Sequence, residues 1–142
     1  MSLIAAALRD EVVLRAGGRC EYCGLSQAGQ EATFHIDHVV PRAVSGPTEA
    51  DNLALACVSC SLRKWARRVA PDPETGEEAP LYNPRAQRWA DHFRWEGASV
   101  VPLTPTGRAT AAALAMNRPL VVAIRREEAE RGRHPPPSGG AG

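Results

Sequence analysis

No apolar run in the chain is long enough to cross a bilayer, so the sequence offers no membrane span. Aromatic residues are scarce: three Trp, two Tyr and two Phe among 142 residues. A hydrophobic core is possible at this length but modest, and a metal staple would help the part poorest in apolar residues. Charge of one sign is not in excess either. The formal net charge is +1, so bulk charge does not announce a nucleic-acid partner, and any such reading must come from local clustering. The N-terminal stretch Met1 to Leu8 is Ala-rich and lacks the basic segment and cleavable apolar core of a signal peptide. The expectation is a cytoplasmic chain. There are only four cysteines, and in that setting they are read as metal ligands rather than disulfide partners.

The chain is α+β in pattern. Ile4, Leu8 and Val12 recur every four residues in an Ala-rich, Pro-free stretch, which predicts an amphipathic helix over 3–16, stopped by Gly17-Gly18. Residues 33–40 are rich in β-formers and end at Pro41; they predict one or two short strands of a hairpin. Residues 45–51 read as loop. A short helix is expected over about 59–68. Residues 71–83 hold three prolines and acidic turn residues and read as a connector. Asn83-Pro84 predicts a helix start running to about His92, followed by a strand across Phe93 to Val101. Thr104 or Thr106 caps an Ala-rich helix to Met116, and another helix spans 118–131. The organisation expected is 1–70 as one unit, 71–133 as an extension packed on it, and 134–142 as a disordered Pro, Ser and Gly tail.

Cys20 and Cys23 form one Cys-x-x-Cys turn, and Cys57 and Cys60 form a second after 33 intervening residues, 24–56. Each turn aims two sulfurs the same way, and two such turns supply the tetrahedron of thiolates that zinc accepts. With no further Cys or His at this position, the site is read as closed and structural. A redox role for the pairs would call for a βαβ context that the pattern lacks.

Between the pairs lies Phe34-His35-Ile36-Asp37-His38-Val39-Val40-Pro41-Arg42. On a strand, His35 and Asp37 share a face and His38 points the other way. Asp37 is a hard oxygen ligand for a divalent cation, and an imidazole can accept a proton from water near neutral pH. Together with Cys20-Glu21-Tyr22-Cys23-Gly24, Asn52-Leu53-Ala54-Leu55-Ala56-Cys57, Cys60 and Lys64, this stretch resembles the HNH endonuclease family in its zinc-braced, four-cysteine bacterial branch. The resemblance runs from about residue 16 to 68. It continues less specifically through Asp72 to Gly76, Asn83-Pro84-Arg85, Trp89, His92-Phe93, Trp95, Gly107 to Thr110, and Leu114 to Asn117.

The resemblance implies a ββα-metal core around one divalent ion, with a four-cysteine structural zinc site and flanking helices. It implies His38 as general base and Asp37 as catalytic-metal ligand. It makes Asn52 the residue that braces the loop and orients His38 by hydrogen bonding. The implied reaction is hydrolysis of phosphodiester bonds in DNA. Two departures matter. Ser61 stands where the family has His or Asn as metal ligand, and Trp65 stands where it has Gly. His35 is the neighbour able to supply a nitrogen beside Asp37, which would favour Zn2+, Ni2+ or Mn2+ over Mg2+. The alternative is a zinc-stabilised nucleic-acid-binding module weakened or inactivated by Ser61; a protein-interaction zinc domain would have no need of Asp37, His38 and Asn52. Arg63, Lys64, Arg67 and Arg68, joined by Arg42, are the expected phosphate contacts. The run 125–133 alternates Arg and Glu and predicts intrahelical pairing. Trp65, Trp89 and Trp95 are read as core or zinc-flank packing, His92 as structural and His134 as a tail residue. A double-strand break by so small a nuclease would take two events or a homodimer.

Overall fold

The computed structural model describes residues 4–137. Helix α1, Ala6–Arg15, buries Val12 completely and is stopped by Gly17 and Gly18, both at positive φ, a backbone region that L side chains rarely adopt. The part of the predicted helix before Ile4 lies outside the described residues.

Strand β1, His35–His38, pairs antiparallel with β2, Leu53–Ala56, in the register His35 to Ala56 and Asp37 to Ala54. The partner of β1 is therefore not a neighbour in sequence but Leu53-Ala54-Leu55-Ala56, buried at all four positions. A strand covered on both faces loses the alternation that marks a half-exposed one, and this run carries no such mark. Helix α1 packs against β2, and α2, Val58–Lys64, packs against both strands. This ββα unit is the mixed α+β core expected from the sequence.

Two further hairpins and three helices follow. Much of the connector expected over 71–83 belongs instead to a hairpin of β3, Val69–Pro71, and β4, Glu78–Pro80. The prolines sit at strand ends, where a missing N–H is tolerated. Asp72, 1% exposed, closes its turn by accepting from Glu74 N–H and from Arg108, which holds its carboxyl down at about 2. Asn83-Pro84 starts a turn, not the predicted helix; Asn83 Oδ1 accepts from Arg85 and Ala86. Helix α3 is only Trp89–His92. The single strand expected over 93–101 is two, β5, Phe93–Glu96, and β6, Ser99–Pro102, turning at Gly97. Helix α4, Pro105–Ala113, takes Thr104 as its cap, whose hydroxyl accepts from Gly107 N–H at 3.0 Å. Helix α5 is Pro119–Glu130. None of these helices is long and apolar enough to cross a membrane.

One core joins the ββα unit to the later elements. The four cysteines share it with Tyr82, Trp89, Phe93, Val100, Leu114 and Met116. Trp89 Nε1 donates to Tyr22 O at 2.8 Å, which fixes α3 to the first Cys-x-x-Cys turn. Trp95 stacks on Trp89. His134, expected in a disordered tail, packs edge-on against Trp95 and bonds Gly97 O at 2.9 Å, and Pro136 is buried. The rest of that expected tail, 138–142, lies outside the described residues. The intrahelical pairing expected over 125–133 is replaced by one pair, Glu128 with Arg133, while Arg125 turns inward.

Trp65 is the other departure. It is 79% exposed, not part of the core. It sits at φ 46°, ψ −119°, in a turn closed by Arg67 N–H to Lys64 O at 2.9 Å. These are the dihedrals of the second residue of a type II′ turn, a position that belongs to Gly. A bulky side chain there costs on the order of 1–3 kcal/mol.

Candidate metal centre and active site

The two Cys-x-x-Cys turns converge. The ligand atoms of Cys20, Cys23, Cys57 and Cys60 all lie within 4.8 Å of one another, and all four residues are buried. Cys23 Sγ and Cys57 Sγ are 3.7 Å apart. Zinc–sulfur bonds of about 2.3 Å in a tetrahedron require sulfurs roughly 3.8 Å apart, so the spacing suits zinc. In each turn the second cysteine's backbone N–H points at the first cysteine's sulfur, at 3.4 Å. Such bonds stabilise thiolate rather than thiol. Hydrogen bonds from neighbouring sulfurs pull Cys23 well below the ordinary thiol value, while burial pushes Cys20 well above it and the adjacent sulfurs do the same to Cys60. A divalent ion would let all four ionise together.

Arg125 adds an independent sign of that charge. It is 1% exposed and reaches from α5 to Cys23 O, at 3.3 Å, and Ala98 O, at 3.0 Å, with its guanidinium over the Trp95 ring. Arg85, Arg108 and Arg133 all pair with carboxylates; Arg125 has no carboxylate partner among the described residues. A buried arginine stays charged and needs a counter-ion. The negative charge near it is that of the cysteine sulfurs. Four thiolates around one Zn2+ carry a net charge of −2, which supplies it.

Beside this centre, β1 and α2 bring the candidate catalytic side chains together. His35 and Asp37 both face α2, where their partners Ser61 and Lys64 lie about one helical turn apart. His35 Nδ1 is 2.9 Å from Ser61 Oγ. Asp37 Oδ2 accepts from Tyr22 OH at 2.8 Å and pairs with Lys64 Nζ at 3.2 Å. Burial pushes the Asp37 carboxyl up, and Lys64 and Tyr22 pull it back toward the charged form. Carboxylate, imidazole and hydroxyl make a nitrogen–oxygen donor set suited to a divalent ion, though one carboxylate oxygen already serves two donors.

His38 points the other way and is half-buried. Its Nε2 is 2.8 Å from Thr48 Oγ1. Burial pushes its pKa below the ordinary imidazole value, the Arg42 charge adds to this, and Asp37 opposes it, so the ring is neutral at neutral pH. Asn52 braces the loop between the strands but does not hold the imidazole. Its Oδ1 accepts from Val40 N–H at 2.8 Å, and its Nδ2 donates to Val40 O and Pro47 O. The residue that touches the His38 ring is Thr48, which no sequence signal distinguishes from other loop hydroxyls.

The basic cluster splits. Lys64 is 2% exposed and points inward, donating toward His38 O and Val39 O as well as pairing with Asp37. Its burial and its pairing with Asp37 take it out of the exposed basic cluster: a lysine this deep is stable only when paired. Arg42, Arg63, Arg67 and Arg68 are exposed. Tyr22 and Arg125 also escaped the sequence reading, one hidden inside a Cys-x-x-Cys turn and the other inside a helix whose alternating charges suggested intrahelical pairing.

The His38–Thr48 contact depends on Gly46. A Cβ at position 46 would stand 1.7 Å from Val40 O, backbone that cannot move without shifting the loop. Gly46→Ala should thus displace Thr48 from His38. The expected outcome is a thermal midpoint lowered by an amount equivalent to roughly 1–3 kcal/mol, with loss of the His38 ring's restrained environment in NMR. An unshifted His38 resonance would contradict this.

Comparison with protein families matches residues 20–67 to a family described as HNH endonuclease. The matched block begins at Cys20 and ends just past α2, so it spans both cysteine turns, β1, β2 and α2. No curated protein and no solved structure matched in the corresponding searches.

Proposed function

Given that this chain carries an HNH endonuclease domain braced by a buried four-cysteine cluster, we propose that it is a metal-dependent endonuclease hydrolysing phosphodiester bonds in DNA. The observation that carries the reading is the placing of a half-buried His38 next to Asp37 at the end of one strand, against the helix that follows the second cysteine turn. In the tautomer whose Nε2–H donates to Thr48 Oγ1, the His38 lone pair lies on Nδ1. That nitrogen takes a proton from water, and the water oxygen bonds to phosphorus as the bond to the leaving oxygen breaks. Asp37, with His35 and Ser61 beside it, would hold the divalent ion, Mg2+, Mn2+, Ni2+ or Zn2+. When bound, that ion stabilises the charge on the leaving oxygen. Lys64 and Tyr22 keep Asp37 ionised and aimed. Arg42, Arg63, Arg67 and Arg68 would hold the flanking phosphates.

The test is cleavage of supercoiled plasmid in the presence of each metal, beside His38→Ala. No cleavage with any of the four, or equal cleavage by the variant, sinks the proposal. A second reading, a DNA-binding module with little catalysis, is favoured by one feature: Asp37 is already paired with Lys64 while Ser61 offers only a neutral hydroxyl. Ser61→Asn decides between them. Restoring an amide oxygen should raise the cleavage rate about tenfold if ligation limits it. An unchanged or lower rate would mean that Ser61 is not the weak point.

A further inference from the structure

We propose that Trp65 is a base-stacking residue, and that it gives this chain a preference for DNA carrying an unpaired or unstacked base. The inference rests on the nucleic-acid reading above and adds the class of DNA to it.

Three observations carry it. Trp65 occupies a backbone conformation suited to Gly, at φ 46° and ψ −119°. Nothing inside the fold offsets that strain: the side chain is 79% exposed, and among the described residues its ring stacks on no other aromatic and lies under no cation. Its place is also specific. It follows Lys64, the residue paired with Asp37, and closes the helix that carries Ser61.

The surroundings favour a polyanion with an aromatic face. Arg63, Arg67 and Arg68 flank Trp65, are exposed, and have no carboxylate partner among the described residues. Arg67 donates instead to the backbone carbonyls of Arg63 and Ala113, which fixes its position without neutralising it. An indole set among unneutralised arginines is the arrangement in which cations track phosphates while the ring takes a base. In an intact duplex the bases already stack on one another, so the indole gains most where a base is free to leave the stack. At these turn dihedrals the side chain at the helix end is 79% exposed.

The experiment compares full-length protein with Trp65→Gly and Trp65→Phe, on labelled oligonucleotides of one sequence. The ligands are a single strand, a perfect duplex and a duplex with a central mismatch. Wild type should bind the single strand and the mismatch better than the duplex. Trp65→Gly should weaken binding to those two by about 5- to 100-fold, the range for losing one stacked base, with a change under about threefold on the duplex. Trp65→Phe should recover most of the loss. Because Gly relieves the turn, the Trp65→Gly midpoint should be equal to or higher than that of wild type. Unchanged binding to all three ligands overturns the stacking role and leaves the nuclease reading in place. A lowered midpoint would make Trp65 a folding residue and also overturn it. Failure of wild type to bind any of the three overturns both readings at once.

Discussion

Removing the bound metal with a strong chelator is expected to abolish the cooperative unfolding transition of the whole described chain. Zinc held by four thiolates contributes about 10–16 kcal/mol of apparent binding energy in small zinc modules. A domain of this size has only about 5–15 kcal/mol of net stability. The cysteine cluster is also not peripheral. Its residues share one core with Leu53, Trp89, Phe93 and Leu114, so its loss reaches beyond residues 20–67. Without the ion, buried sulfurs must reprotonate, Arg125 loses its counter-charge, and the hold of α5 on Cys23 weakens. Cys57→Ser should reproduce the effect, because it removes one thiolate ligand while leaving an oxygen that can still accept from Cys60 N–H at the start of α2. The measurements are metal content by mass spectrometry of the native protein, one ion per chain, and thermal denaturation before and after chelation. A metal-free chain that melts at the same temperature would show that the cysteines are mere packing.

His38→Ala is expected to lower plasmid cleavage by about 100- to 10,000-fold, the usual worth of a positioned general base. The fold should survive. His38 is half-buried, and its side-chain partner among the described residues is the hydroxyl of Thr48. Thr48→Val should give a smaller loss, since the imidazole remains but its tautomer is no longer fixed. Added imidazole should restore part of the His38→Ala rate. If His38→Ala cleaves well while Asp37→Asn does not, the proton acceptor lies elsewhere and the assignment of His38 fails.

The part of the site carried by spacing was legible in the sequence. Two Cys-x-x-Cys turns fix four sulfurs through local geometry, and only two turns have to meet. His35, Asp37 and His38 lie on one strand, so their faces follow from alternation alone. The match to the HNH endonuclease family covers this same block. Less legible were features that depend on what lies across a gap. Leu53 to Ala56 is buried on both faces, so it shows no period. The hairpin over 69–80 was hidden by its prolines, which mark strand ends as readily as loops.

Lys64 and Trp65 show where local reasoning stops. Their sequence context is a basic stretch followed by an aromatic, which suggests an exposed lysine and a buried tryptophan. The structure reverses both, because the last turn of α2 lies over Asp37. That carboxylate, buried beside Tyr22, draws the lysine inward, and the turn that follows sends the indole out. Arg125 tells the same lesson: its alternating Arg and Glu run reads as intrahelical pairing until the cysteine cluster is set beside it. The sequence alone determined the four-cysteine set and the placing of His35, Asp37 and His38 on one strand, since these follow from short-range spacing. Only the tertiary structure decided which charges are paired and which side chains face outward, since burial and Coulomb energy depend on neighbours distant in the chain.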